Sequence, residues 1–175
     1  MPEIKITSKI IPAHVRTVTA KRLIEKYKSQ ITWAQERHLH NLKECNLFLQ
    51  PYSITFTIKK QGVWLDYKVV IPKGAILDGS SVPNLIKAFI NDDYHNGAWE
   101  AHDAGYLSEG KNVNHKGWEI PQLTRKEWDY LFAIIVKRNG APALQKITAY
   151  KGLRLFGWRV WNKAPSPHRF MTIKP

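Results

Sequence analysis

Apolar and polar residues alternate at the start of the chain, with Ile4 and Ile6 followed by Ile10 and Ile11, a pattern that suits an edge strand. From Val18 to Leu42 the period lengthens. Ala20, Ile24, Tyr27, Ile31 and Ala34 recur at helical spacing, which predicts a helix broken near Thr32 and standing as an arm in front of the main domain. Pro51 interrupts the next run. The stretch Ser53-Ile-Thr-Phe-Thr-Ile then alternates with period two, Gln61-Gly62 supplies a turn, and Val63 to Ile71 returns, which predicts a β-hairpin closed by Pro72 and Gly74.

The remainder reads as helical. A short helix is expected over 82–91, after the loop Leu77-Asp78-Gly79-Ser80-Ser81, and a second from about His95 to Leu107, stopped at Gly110. A loop of Lys, Asn, His and Gly follows. Thr124 is a good N-cap for a helix that Asn139-Gly140 ends, and Pro142 opens a last one reaching about Trp161. The expected organisation is an N-terminal arm of strand and helix over 1–45, a single α+β domain over 46–163 with its helices grouped C-terminally, and a loose tail over 164–175.

Composition narrows the setting. With 175 residues the chain holds one domain and too few residues for two full-sized ones. A single cysteine, Cys45, excludes an intrachain disulfide framework and any cysteine-built metal site. No stretch approaches the ~18 apolar residues of a membrane span, and the N-terminus lacks the apolar core of a signal peptide, so synthesis in a bacterial cytoplasm is expected. The net charge of +13 changes the picture most. It draws the chain toward phosphate-bearing surfaces, either anionic lipid or nucleic acid. Basic residues concentrate at Lys21, Arg22, Lys26 and Lys28, and again from Lys146 to Lys174, where they interleave with Phe156, Trp158, Trp161 and Phe170. A nucleic-acid partner rests on charge alone, since no recognition motif accompanies it.

The candidate chemistry lies in Trp99-Glu-Ala-His102-Asp103-Ala-Gly-Tyr106-Leu107. On a helix, Trp99, Tyr106 and Leu107 share an apolar stripe that contains Asp103 and is bordered by His102. A buried carboxylate needs a cation, a metal or several donors. In the following helix Trp128, Leu131, Phe132, Ile135 and Val136 form the apolar face, with Asp129 at its border. Two partners are open to Asp129. If the two helices pack antiparallel it reaches the imidazole of His102, leaving the other ring nitrogen to take a proton from water as a general base. Otherwise Arg125, four residues earlier, forms a plain salt bridge with it. Asp103 and the Asp78-Gly79 loop could offer oxygens to a hard cation such as Ca²⁺, although Asp78-Gly79-Ser80-Ser81 is also a good turn in its own right.

The succession Val70-Ile-Pro-Lys-Gly74, Leu77-Asp-Gly-Ser-Ser-Val-Pro83, Ala101-His-Asp-Ala-Gly-Tyr106, Thr124-Arg125 with Asp129 and Phe132, and Tyr150 through Gly157 resembles a phage and prophage family known only as domain of unknown function 1353. Trp128 stands where that family favours Ala. The same motifs resemble those of bacterial and fungal phospholipase A2. That second resemblance implies a phospholipase A2-like helical core with two antiparallel helices, following the arm and hairpin. It also implies His102 as base, Asp129 as its orienting carboxylate, Asp103 with Asp78 and Gly79 as calcium ligands, and Tyr106, Arg125 and Tyr150 as supporting positions. The half-cystines of that pattern are Ser80 and Trp99 here, so its disulfide is absent. The expected function is a phage-derived, Ca²⁺-dependent ester or lipid hydrolase working on anionic membranes. The alternative is a non-enzymatic virion or tail component, docked to other virion proteins, that keeps the scaffold without the activity.

Overall fold

The structure is a computed structural model that describes residues 2–9, 11–77, 94, 97–161 and 170–174. Its longest feature is the hairpin of β4 (Tyr52–Lys60) and β5 (Val63–Ile71), paired in register from Tyr52↔Ile71 to Lys60↔Val63. Gln61 and Gly62 both take positive φ, 51° and 84°, as a two-residue turn matched to strand twist requires. Period two works as the sequence suggests. Tyr52, Ile54, Phe56 and Ile58 face the core, and their neighbours face outward.

The expected architecture of a helical arm and hairpin followed by a phospholipase A2-like helical core is overturned by two antiparallel sheets. The first has the order β1-β4-β5-β8-β7 and the second β2-β3-β6-β9. The N-terminal residues do not stand off as a helical arm. β1 (Glu3–Ile6) lies along β4 and buries Ile4 and Ile6, with Glu3 and Lys59 paired at 3.1 Å. β2 (Val15–Thr19) pairs with β3 (Glu44–Phe48) to begin the second sheet. The presumed loop after residue 110 is the small hairpin β7 (Val113–His115) and β8 (Trp118–Ile120), turned at Lys116-Gly117, and Trp118 is fully buried. β6 (Ala75–Leu77) and β9 (Met171–Thr172), the latter in the presumed tail, complete the second sheet. The expected helix over 82–91 falls outside the described residues.

The helical pattern after Val18 resolves into α1 (Ala20–Tyr27), a short 3₁₀ turn, and α2 (Trp33–His40). Thr32 makes the break. It caps α2 in a reciprocal box with Gln35. α1 packs Leu23, Ile24 and Tyr27 against Leu47, Ile76 and Met171 to form a second, smaller core.

Three helices complete the main core: α3 (Ala98–Leu107), α4 (Arg125–Arg138) and α5 (Ala143–Phe156), followed by the single turn α6 (Trp158–Trp161). Thr124 and Glu127 form a capping box at the start of α4, and Glu127 also holds Lys60 of β4 at 2.8 Å. α3 is covered on every side, all its residues but Trp99 being buried, so a carboxylate or imidazole on it is inside the protein whichever way it points. Among the described residues no helix is long and apolar enough to cross a membrane.

Candidate functional site

The polar residues of α3 and α4 meet inside the main core. His102 places Nε2 3.2 Å from Oδ1 of Asp129, and both side chains are fully shielded from solvent. Tyr106, one turn beyond His102, donates its hydroxyl to the same oxygen at 2.5 Å. Arg154 of α5 donates from Nη1 to the other oxygen, Oδ2, at 2.9 Å. Asp129 therefore collects three donors from two other helices. A buried carboxylate requires such a set, because each lone pair left without a partner costs about 1–3 kcal/mol.

The electrostatics follow from this geometry. Burial alone would raise the Asp129 carboxyl, but the hydrogen bond and charge of His102, with the Tyr106 and Arg154 donors, outweigh it and hold the group below the ordinary carboxylate range. Burial and then the neighbouring Asp129 charge push the Tyr106 phenol well above its usual value, so it stays a donor at any physiological pH. With the Asp129 carboxylate accepting from His102, the ring proton belongs on Nε2 and Nδ1 is left as the acceptor. Nδ1 is buried and has no hydrogen-bond partner among the described residues.

Aromatic rings fix the imidazole. Tyr106 lies 4.0 Å away, centroid to centroid, and Phe132, three residues after Asp129, meets the ring edge-on at 5.4 Å. Two glycines let the helices close. A Cβ on Gly105 would enter the ring of buried Trp128, and one on Gly157 would run into the Tyr106 hydroxyl. Tyr106 continues outward to Trp161, its ring at 5.0 Å and 80°. Trp161 in turn forms part of the wall of a cavity of about 720 Å³ shared with Lys60, Tyr67, Glu109 and Glu127. Neither His102 nor Asp129 is among the lining residues.

The anticipated residues separate into three groups. His102, Tyr106 and Asp129 come together. Arg125, on α4, and Tyr150, on α5, touch other groups: Arg125 donates Nη2 to the Arg154 carbonyl at 3.4 Å, and Tyr150 packs edge-on against Tyr130. The salt bridge open to Arg125 is made by Arg154 instead. Asp103 is buried on α3 next to His102, and Asp78 and Gly79 lie outside the described residues. Among the described residues no three His, Cys, Asp or Glu side chains gather around a common point. Of the expected calcium set, Asp103 is the member that the described residues include.

Sequence reasoning missed one participant, Arg154, and one buried acid elsewhere on α3, Glu100. Arg154 lies within the Tyr150–Gly157 motif, three residues before the Gly157 that sits against the Tyr106 hydroxyl, but no local pattern names Asp129 as its partner. Glu100, in the first turn of α3, is buried, and its Oε2 has no hydrogen-bond partner among the described residues. Burial raises its carboxyl above the ordinary range, although backbone N–H groups at Glu100 and Gly97 oppose the shift. No periodicity signals such a residue, because α3 is buried on all sides.

Fold and cluster together define an α+β protein whose short motifs converge on one buried carboxylate from three helices. Over residues 56–153 the chain matches the family described as a protein of unknown function (DUF1353), and it belongs to that family. The matched region takes in His102, Tyr106 and Asp129 and stops one residue before Arg154. No curated protein and no solved structure matches the chain.

Proposed function

We propose that the chain is an ester hydrolase, phage-derived, in which His102 acts as general base. The observation that carries this reading is the hydrogen bond from His102 Nε2 to Asp129, which leaves Nδ1 as the one basic ring position. Asp129 orients the ring and stabilises the imidazolium that forms when Nδ1 takes a proton from water; Tyr106 and Arg154 hold the carboxylate in place. A positioned base of this kind contributes roughly 10²–10⁴-fold to rate. The substrate class is a lipid ester at an anionic surface, suggested by the net charge of +13 and the half-exposed Trp158 beside basic residues of α5. Calcium remains a proposal resting on Asp103, with Asp78 and Gly79, and no step of this mechanism passes through it.

The test is release of fatty acid from phosphatidylglycerol vesicles by the full chain, with calcium and with chelator. The expected result is turnover that His102→Ala reduces at least a hundredfold. Turnover equal in parent and variant removes His102 as base.

A second reading is favoured by a different observation. Arg154 already neutralises Asp129, and the imidazole is wholly covered. On this reading the cluster is a polar clasp joining three helices of a non-enzymatic virion component. It is supported if the chain co-purifies with particles at fixed copy number and no ester is cleaved.

A further inference from the structure

A groove between β2 and α1 is lined by no residue of α3, α4 or α5. It encloses about 330 Å³, at the lower end of ligand-pocket sizes (about 300–1,000 Å³). Its rim carries Arg16 from β2 and Arg22 and Lys26 from α1. No acidic side chain lines it, and none of the three cations forms an ion pair among the described residues. The floor is apolar. Val18 and Leu49, partly exposed and packed on the second core, give the groove its accessible apolar surface over buried Leu23 and Leu47, and Lys26 lies 5.0 Å over the Tyr27 ring.

Three cations above an apolar floor select a ligand with the complementary division. A bare anion would gain the charge-assisted bonds and leave the floor wet, whereas a neutral chain would cover the floor and leave the cations unused. We propose that this groove binds an anionic single-chain amphiphile, its phosphate or carboxylate head held by Arg16, Arg22 and Lys26 and its alkyl chain laid along Val18 and Leu49. Long basic side chains suit this task, since their methylene stems extend the apolar wall while their heads reach the anion. None of the groove's residues contacts His102 or Asp129, so the site stands whether or not His102 is a base.

Calorimetric titration of the full chain with decyl phosphate, below its micelle-forming concentration, tests the proposal. Saturable one-to-one binding is expected, at least tenfold tighter than inorganic phosphate and than uncharged decyl maltoside. The double variant Arg16→Gln/Arg22→Gln should keep the parent's melting temperature, since both side chains are exposed, and lose at least tenfold in affinity. Equal affinity for either control probe, or an unchanged double variant, overturns the proposal. So does a short DNA duplex that binds through Arg16 and Arg22 while decyl phosphate does not bind.

Discussion

Arg154 meets Asp129 on the oxygen that His102 does not use. Oδ2 receives the guanidinium at 2.9 Å, and Oδ1 receives His102 and Tyr106. The division matters because Asp129 is wholly buried while Arg154 keeps about a third of its side chain in solvent. Removing the acid leaves a guanidinium that can turn to water. Removing the base leaves a charge that cannot.

Arg154→Met should therefore cost more than a surface pair would, about 3 kcal/mol, because one partner of the broken ion pair stays behind in the core. In a chain of this size that corresponds to a fall in Tm of roughly 6–12 °C. Asp129→Asn keeps the shape, and the arginine it strands is partly hydrated, so a smaller loss is expected. Urea unfolding of both variants gives the order, and Arg154→Met within 0.5 kcal/mol of the parent contradicts it.

Gly105→Ala sets two effects against each other. Alanine is favoured over glycine inside a helix by about 1 kcal/mol. The new methyl group, however, would enter the ring of Trp128, which is itself fully buried and has nowhere to move. Overpacking of this kind costs typically 1–3 kcal/mol, occasionally more. Net destabilisation is expected, read as a lower urea midpoint with an unchanged slope. A more stable variant would mean that α3 and α4 can separate without loss.

These helices were legible before the fold was. Thr124, Asn139-Gly140 and Pro142 are strong local signals, and the boundaries of α4 and α5 lie close to them. The long hairpin announced itself because β4 alternates from Tyr52 to Ile58 and Gln61-Gly62 turns it into an equally long β5. The second sheet did not, because β6 and β9 have only three and two residues, too short for any period to register. A strand that short exists only because its neighbours hold it. The helical reading after Val18 had the break at Thr32 right and the context wrong: nothing in Ala20 to Leu42 reports that Leu23 and Tyr27 will cover strands supplied from Cys45, Ile76 and Met171. At the site, His102 with Asp129 could be paired from helical spacing. Arg154 could not, because its contact depends on how α5 lies across α4.

Two buried carboxylates should answer acid in opposite directions. The folded pKa of Asp129 is depressed, so its contribution to stability is fully present above the ordinary aspartate value near 4 and is lost as the pH falls toward the folded one. Glu100 is raised by burial, so its charged form costs stability at neutral pH, and that cost lifts as the pH drops through the raised value. Glu100→Gln should accordingly stabilise at pH 8, by about 1 kcal/mol for a buried polar group relieved of its charge, and be neutral by pH 4. Asp129→Asn should show its full penalty at pH 7 and a shrinking one toward pH 3. Urea midpoints across this range measure both, and curves of the same sign would contradict the assignment.

Tyr106→Phe separates the two readings of the cluster. The phenyl ring keeps its contacts with His102 and Trp161, while Asp129 loses one of the two donors on Oδ1. A hydrogen bond to a charged group is worth about 1.5–3 kcal/mol, so the variant should unfold earlier by that amount on either reading. The consequence for chemistry differs. If His102 is a base, the carboxylate that orients it is now held by Arg154 alone. Turnover of vesicle ester should then fall about tenfold, with kcat affected more than KM, the mark of an interaction used in the transition state. Adding Glu100→Gln should recover part of the lost stability, about 1 kcal/mol, and leave kcat low. If the cluster is a clasp, the same substitution recovers the same part, and neither parent nor variant cleaves vesicle ester. Turnover that stays low while stability rises thus distinguishes a carboxylate that positions a base from one that only binds three helices together.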